Sequence, residues 1–150
     1  MSVQPVPEGY HTITPSLSVK GAVQMIEFLK QAFDAAQKDF LLRPDGAVGH
    51  ATLRIGDSMI MLGETMEGWQ PMPLSLYLYV DDVDATYRRA LQAGASSVME
   101  PADMFWGDRH GAVKDQWGNV WLLATHTEDV PEAEIARRAK AFFGQQPAAG

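Results

Sequence analysis

Side chains able to do chemistry are few in this chain, and several fall at related positions. His50 lies in Val48-Gly49-His50-Ala51 and His110 in Asp108-Arg109-His110-Gly111, so sliding the chain by 60 positions lays one histidine on the other. Imidazole titrates near neutrality, and either ring could act as a general base. The plainer reading is a strand histidine that satisfies a structural hydrogen bond. Arg109 follows Trp106-Gly107-Asp108. Its guanidinium could grip a carboxylate or phosphate through two N–H groups, or pair with Asp108 inside the turn. Tyr77, Tyr79, Trp106 and Trp69 offer ring faces on which a planar or cationic ligand could stack. For Trp106 a place in the core is the competing reading; Trp121 is assigned to the core outright. Cysteine is absent, which removes thiolate metal sites and cysteine nucleophiles.

These residues must be positioned by two similar stretches. Leu17, Val19, Ala22, Ile26, Leu29 and Ala32 match Leu78, Val80, Val83, Tyr87, Ala90 and Ala93 at a spacing of 61. Each stretch alternates with period two and then switches to helical spacing, the pattern of a strand feeding an amphipathic helix. Further strands are predicted at Lys38–Arg43 and Ala47–Ile55 around a Pro44-Asp45-Gly46 turn, and at Ser97–Glu100 and Arg109–Lys114 in the second stretch. Gly56-Asp57-Ser58 and Gln116-Trp117-Gly118-Asn119 each lead into a last apolar strand. The expected fold is α+β: two tandem βαβββ units form an eight-stranded cupped mixed sheet with helices on the convex face. Unit one spans about 10–63, a linker 63–73, unit two about 74–126, and a C-terminal helix 131–143. A frayed tail is expected from Gln145 on.

Alternation sorts the strand residues onto two faces. Leu17, Val19, Leu53, Leu76 and Leu78 are assigned to the helices. Ser75, Tyr77, Tyr79, His50 and Thr52 are assigned to the cup.

At 150 residues the chain is one domain's worth and can bury a full core without staples. Its net charge of −7 and scattered basic residues argue against nucleic acid, whose binders carry a basic face. No apolar run approaches the length of a membrane span, and Met1–Gly9 has no basic n-region or apolar h-region. The expected location is the cytoplasm.

Thr14–Val19, Val48–Ala51, Leu76–Asp84, and Gly107–Arg109 through Gly118–Trp121 resemble the vicinal oxygen chelate superfamily, which includes glyoxalase I, bleomycin-resistance proteins and extradiol dioxygenases. Within it the chain resembles the PhnB-like branch over about residues 10–130. The resemblance implies four metal-ligand positions, one early in the first strand and one in the last strand of each unit. By strand register they fall on Thr14, Met61, Ser75 and Leu122, none of which is a competent ligand for a divalent ion here. The expectation is therefore no metal and no cofactor, although His50, His110 and Glu64 are ligand types that could build a relocated site. No glycine-rich strand-to-helix loop supports the methyltransferase label that some members of the branch carry.

Two functions follow as expectations. One is a metal-independent protein that binds a small organic ligand in the cup, with Ser75, Tyr77, Tyr79, Trp106 and Arg109 lining it. The alternative is a lyase or isomerase using His50 or His110 as general base, or a relocated divalent metal, with Arg109 as electrostatic partner. A homodimer is expected in both cases, with pockets near the subunit boundary.

Overall fold

The computed structural model describes residues 2–145; the expected frayed tail lies, from residue 146 on, outside the described residues. The chain runs β1 (Ser16–Val19), α1 (Ala22–Phe33), β2 (Ala36–Leu42), β3 (Val48–Ile55), β4 (Ser58–Glu64), β5 (Ser75–Tyr79), α2 (Val83–Gln92), β6 (Ser96–Asp103), β7 (Asp108–Lys114), β8 (Val120–His126) and α3 (Glu132–Gly144). This is the α+β tandem of βαβββ units. Parallel pairing of β1 with β4 and of β5 with β8 mixes with antiparallel pairing elsewhere. No helix among the described residues is long and apolar enough to cross a membrane.

The eight strands divide into two four-stranded sheets: sheet A in the order β1-β4-β3-β2, and sheet B in the order β5-β8-β7-β6. The expected eight strands are all present, and within one chain they form two sheets instead of one continuous sheet because β1 and β5 are both edge strands and do not pair. The cause lies in the helices. α1 packs on β1, β3 and β4, α2 packs on β6, β7 and β8, and the two helices also pack on each other. One core therefore takes the apolar faces of both sheets, with Leu17, Leu53 and Leu62 from one unit and Val113, Trp121 and Leu123 from the other. Phe33 at the end of α1 meets Trp121 with ring centroids 4.8 Å apart. The indole of Trp117 donates to the Lys20 carbonyl at 2.6 Å, clasping the two units.

Strand register explains the two spacings in the sequence. Thr52 opposes Met61 in sheet A as Ala112 opposes Leu122 in sheet B. The offset is thus 60 residues on β3/β7 and 61 on β4/β8, the longer second turn absorbing one residue. His50 and His110 are equivalent positions, but each lies on the outward face of its own sheet.

Candidate functional site

The polar face of sheet B is built by alternation. Tyr77 and Tyr79 come from β5, Asp108 and His110 from β7, and Leu122, Ala124 and His126 from β8, where Tyr77 opposes Leu122 and Asp108 opposes His126. Trp106 joins them from the turn before β7, closed by a Gly107 N–H bond to the Met104 carbonyl at 3.2 Å. That turn requires glycine: Gly107 has φ +103°, and a Cβ there would collide with the Glu128 carbonyl oxygen.

Asp108 is the hub. Only 2% exposed, its Oδ2 accepts from the hydroxyls of Tyr77 at 2.7 Å and Tyr79 at 3.2 Å and from the Trp106 indole at 3.0 Å. Its Oδ1 accepts from His126 Nδ1 at 2.8 Å. Burial pushes the carboxyl pKa up, but the bonds from His126, Tyr77, Trp106 and Tyr79 together outweigh burial and hold it below the usual range. Burial, reinforced by the bond to Asp108, pushes the Tyr77 phenol up to about 12 and raises that of Tyr79. His126 Nε2 bonds Asp129 at 2.7 Å, and its two carboxylate partners raise its pKa. His110 stacks on Tyr77 at 5.1 Å, and its Nδ1 lies 3.0 Å from the Leu123 carbonyl.

Of the residues singled out in the sequence, Tyr77, Tyr79, Trp106 and His110 come together, and Ser75 lies on the same face two residues before Tyr77. Arg109 does not join them. It alternates to the helix side, where Nε and Nη2 bond Asp84 at 2.7 and 3.0 Å and Nη1 bonds Asp103 at 3.3 Å. The expectation that it lines the cup is corrected: one residue of parity separates it from His110, and its fork is occupied. His50 lies on sheet A, where its Nε2 is 2.9 Å from Thr52 Oγ1. Asp108 and His126 are the residues that sequence reasoning missed, although the alternation that placed His110 also places both on its face. A groove of about 1030 Å³ runs beside β5, lined by Ile13, Phe33, Met59, Tyr77, Tyr79 and Arg89 among others. It does not reach Asp108, which sits on the open face of the sheet.

A divalent metal does not fit the inherited positions. In register, Met61 neighbours Ser16 and Leu122 neighbours Tyr77, so Thr14 and Ser75 fall two residues early. With either assignment the set lacks imidazole and carboxylate. The relocated set does not assemble either. Glu64 caps α1, accepting from Gly21 N–H at 2.9 Å and Ala22 N–H at 2.7 Å, while His50 and His110 occupy different sheets. Among the described residues no three His, Asp or Glu side chains are grouped to hold a metal.

The family model of the Glyoxalase/Bleomycin resistance protein/Dioxygenase superfamily matches residues 10–123. The chain belongs to this superfamily. An uncharacterized protein of Mycobacterium bovis is 38% identical over 134 residues, covering 82% of this chain and 88% of its own. Solved structures with the superfamily fold include TioX from Micromonospora sp. ML1, at TM-score 0.67 and 24% identity over 77% of this chain and 98% of TioX. A PhnB protein from Bacillus cereus superposes at TM-score 0.59 and 19% identity, over 77% of this chain and 99% of its own. These structures share the fold; α3 lies beyond the segment matched by the superfamily.

Proposed function

We propose that the chain is a metal-independent member of the superfamily that binds a small organic ligand on the polar face of sheet B. The observation that carries this reading is the gathering of Tyr77, Tyr79 and Trp106 around one buried carboxylate, with His110 stacked on Tyr77, on the sheet whose β5 and β8 are where the superfamily's metalloenzymes would keep ligands. Stacking surfaces are held in place by hydrogen bonds instead of a metal. The face is open in a single chain, with Tyr77 and Tyr79 41% and 66% exposed. A homodimer is part of the proposal. A second copy laying its β1 beside the free edge of β5 would place its own His50–Thr52–Met61 face across the site. A cytoplasmic location, with which the cysteine-free composition is compatible, is part of the proposal.

A lyase or isomerase is the second reading, favoured by one observation: His110 is fixed through Nδ1 and keeps Nε2 for a substrate. Against it, Arg109 is turned to the helix layer, so the paired base and cation are not formed.

Metal titration tests the main reading. Added Zn²⁺, Ni²⁺ or Mn²⁺ is expected to leave the thermal midpoint nearly unchanged. Stoichiometric metal retained by the purified protein, and lost on replacing His50 or Glu64, would overturn it.

A further inference from the structure

The hydrogen bonds around Asp108 fix the direction of every proton on this face. A carboxylate can only accept, so both phenols spend their single O–H on Asp108 Oδ2. What Tyr77 and Tyr79 have left for a ligand is oxygen lone pairs. The Trp106 indole N–H is spent on the same oxygen. A backbone carbonyl also only accepts, so His110 Nδ1 carries the hydrogen in its bond to Leu123, and in the neutral ring Nε2 keeps a lone pair. His110 is more than nine-tenths buried, yet its Nε2 has no partner among the described residues. Both nitrogens of His126 face carboxylates and are likewise spent.

Three acceptors therefore lie on this one face, Tyr77 Oη, Tyr79 Oη and His110 Nε2, and the phenol, indole and imidazole donors around them are spent, the Ser75 hydroxyl two residues before Tyr77 being left over. The rings add their electron-rich faces: Tyr77 and Tyr79 lie 5.2 Å apart, and Trp106 lies 6.0 Å from His110. Within the hydrogen-bonded cluster the charge balance has the same sign, since Asp108 and Asp129 stand against a single cation, His126. We propose that the ligand of this face carries a protonated amine, which donates to the two phenol oxygens and His110 Nε2 and sits against the aromatic rings. A carboxylate or phosphate set against the two phenols and His110 would meet lone pairs and the buried negative charge of Asp108. The inference rests on the reading of this face as a ligand site and adds the class of ligand.

Three probes of matched size separate the two claims: phenethylammonium, 2-phenylethanol and 3-phenylpropanoate, titrated at neutral pH. The readout is the Trp106 indole N–H resonance, assigned by its loss in Trp106→Phe. The ammonium is expected to shift the signal and to bind about tenfold or more tighter than the carboxylate, the scale of a charged hydrogen bond. Tyr79→Phe, at an exposed position that tolerates change, should keep the ring and lose most of that preference; His110→Leu should lose it through a different acceptor. Alcohol or carboxylate binding as tightly as the ammonium would overturn the amine proposal and leave the ligand site standing. An ammonium preference that survives both variants would also overturn it. If none of the three probes moves the indole signal at millimolar concentration, the ligand-site reading falls and this inference falls with it.

Discussion

His126 lies between two carboxylates that can only accept, so its ring is held as an imidazolium. Its pKa in the folded chain is raised above the ordinary 6.5 by the bonds to Asp108 and Asp129. The stabilisation is therefore fully present below the ordinary histidine value and disappears as pH rises through the raised one. Thermal melts of wild type and His126→Ala should differ most below the ordinary histidine value of 6.5 and converge as pH rises through the raised one. A gap that stays constant or widens with pH would refute the assignment. At this scale the sequence was legible by parity and illegible by partner. Alternation put Tyr77 and His110 on one face. It could not say that Asp108 collects four donors, because those donors come from residues 2 to 31 positions away. Arg109 was misread for the opposite reason: adjacency to Trp106 outweighed its odd position in the strand.

Among the elements, α1 starts without a side-chain cap of its own. Gly21 holds the N-cap with φ 89°, and the carboxylate of Glu64, at the far end of β4, takes the free N–H groups. Glu64→Ala should cost about 1 kcal/mol, within the 0.5–2 typical of lost caps, read as a lower urea midpoint at unchanged m-value. No change in midpoint would mean that water replaces the cap fully. The sequence exposed the strands and helices themselves, since apolar periodicity is local and the repeat at 61 residues doubled the signal. It offered Glu64 only as a ligand type, because a cap supplied from 42 or 43 residues away leaves no local trace. The second helix is the contrast. Asp82 caps its own helix through Ala85 N–H at 3.1 Å, a pattern readable within four residues.

For the whole molecule, the packing of the two units decides what a single chain can do. The eight strands of two tandem units were legible, but their division into two sheets was not, because no periodicity reports whether two sheets join edge to edge or share a core through their helices. The same packing leaves apolar groups outside: every residue of β2 is exposed, Phe40, Leu41 and Leu42 included, and Trp69 in the linker is 66% exposed. Sedimentation at micromolar concentration should return twice the 16.5 kDa chain mass, and Trp69→Asp should shift it toward the monomer. A wild-type monomer of 16.5 kDa would remove the second copy from the site.

Of the four edge strands, β1 and β2 in sheet A and β5 and β6 in sheet B, the first strands of the two units, β1 and β5, are unlike. If β1 and β5 pair between copies, the contact is head-to-tail, and it ends only when a two-fold axis lets two chains consume both β1 and both β5 edges together. A third chain captured before that closure leaves one β1 and one β5 open again, and so does every chain added afterwards. In that case the angle set by α1 against α2 would choose between a closed pair and an endless fibre. Substitutions that loosen this helix contact are where polymerisation should first be seen.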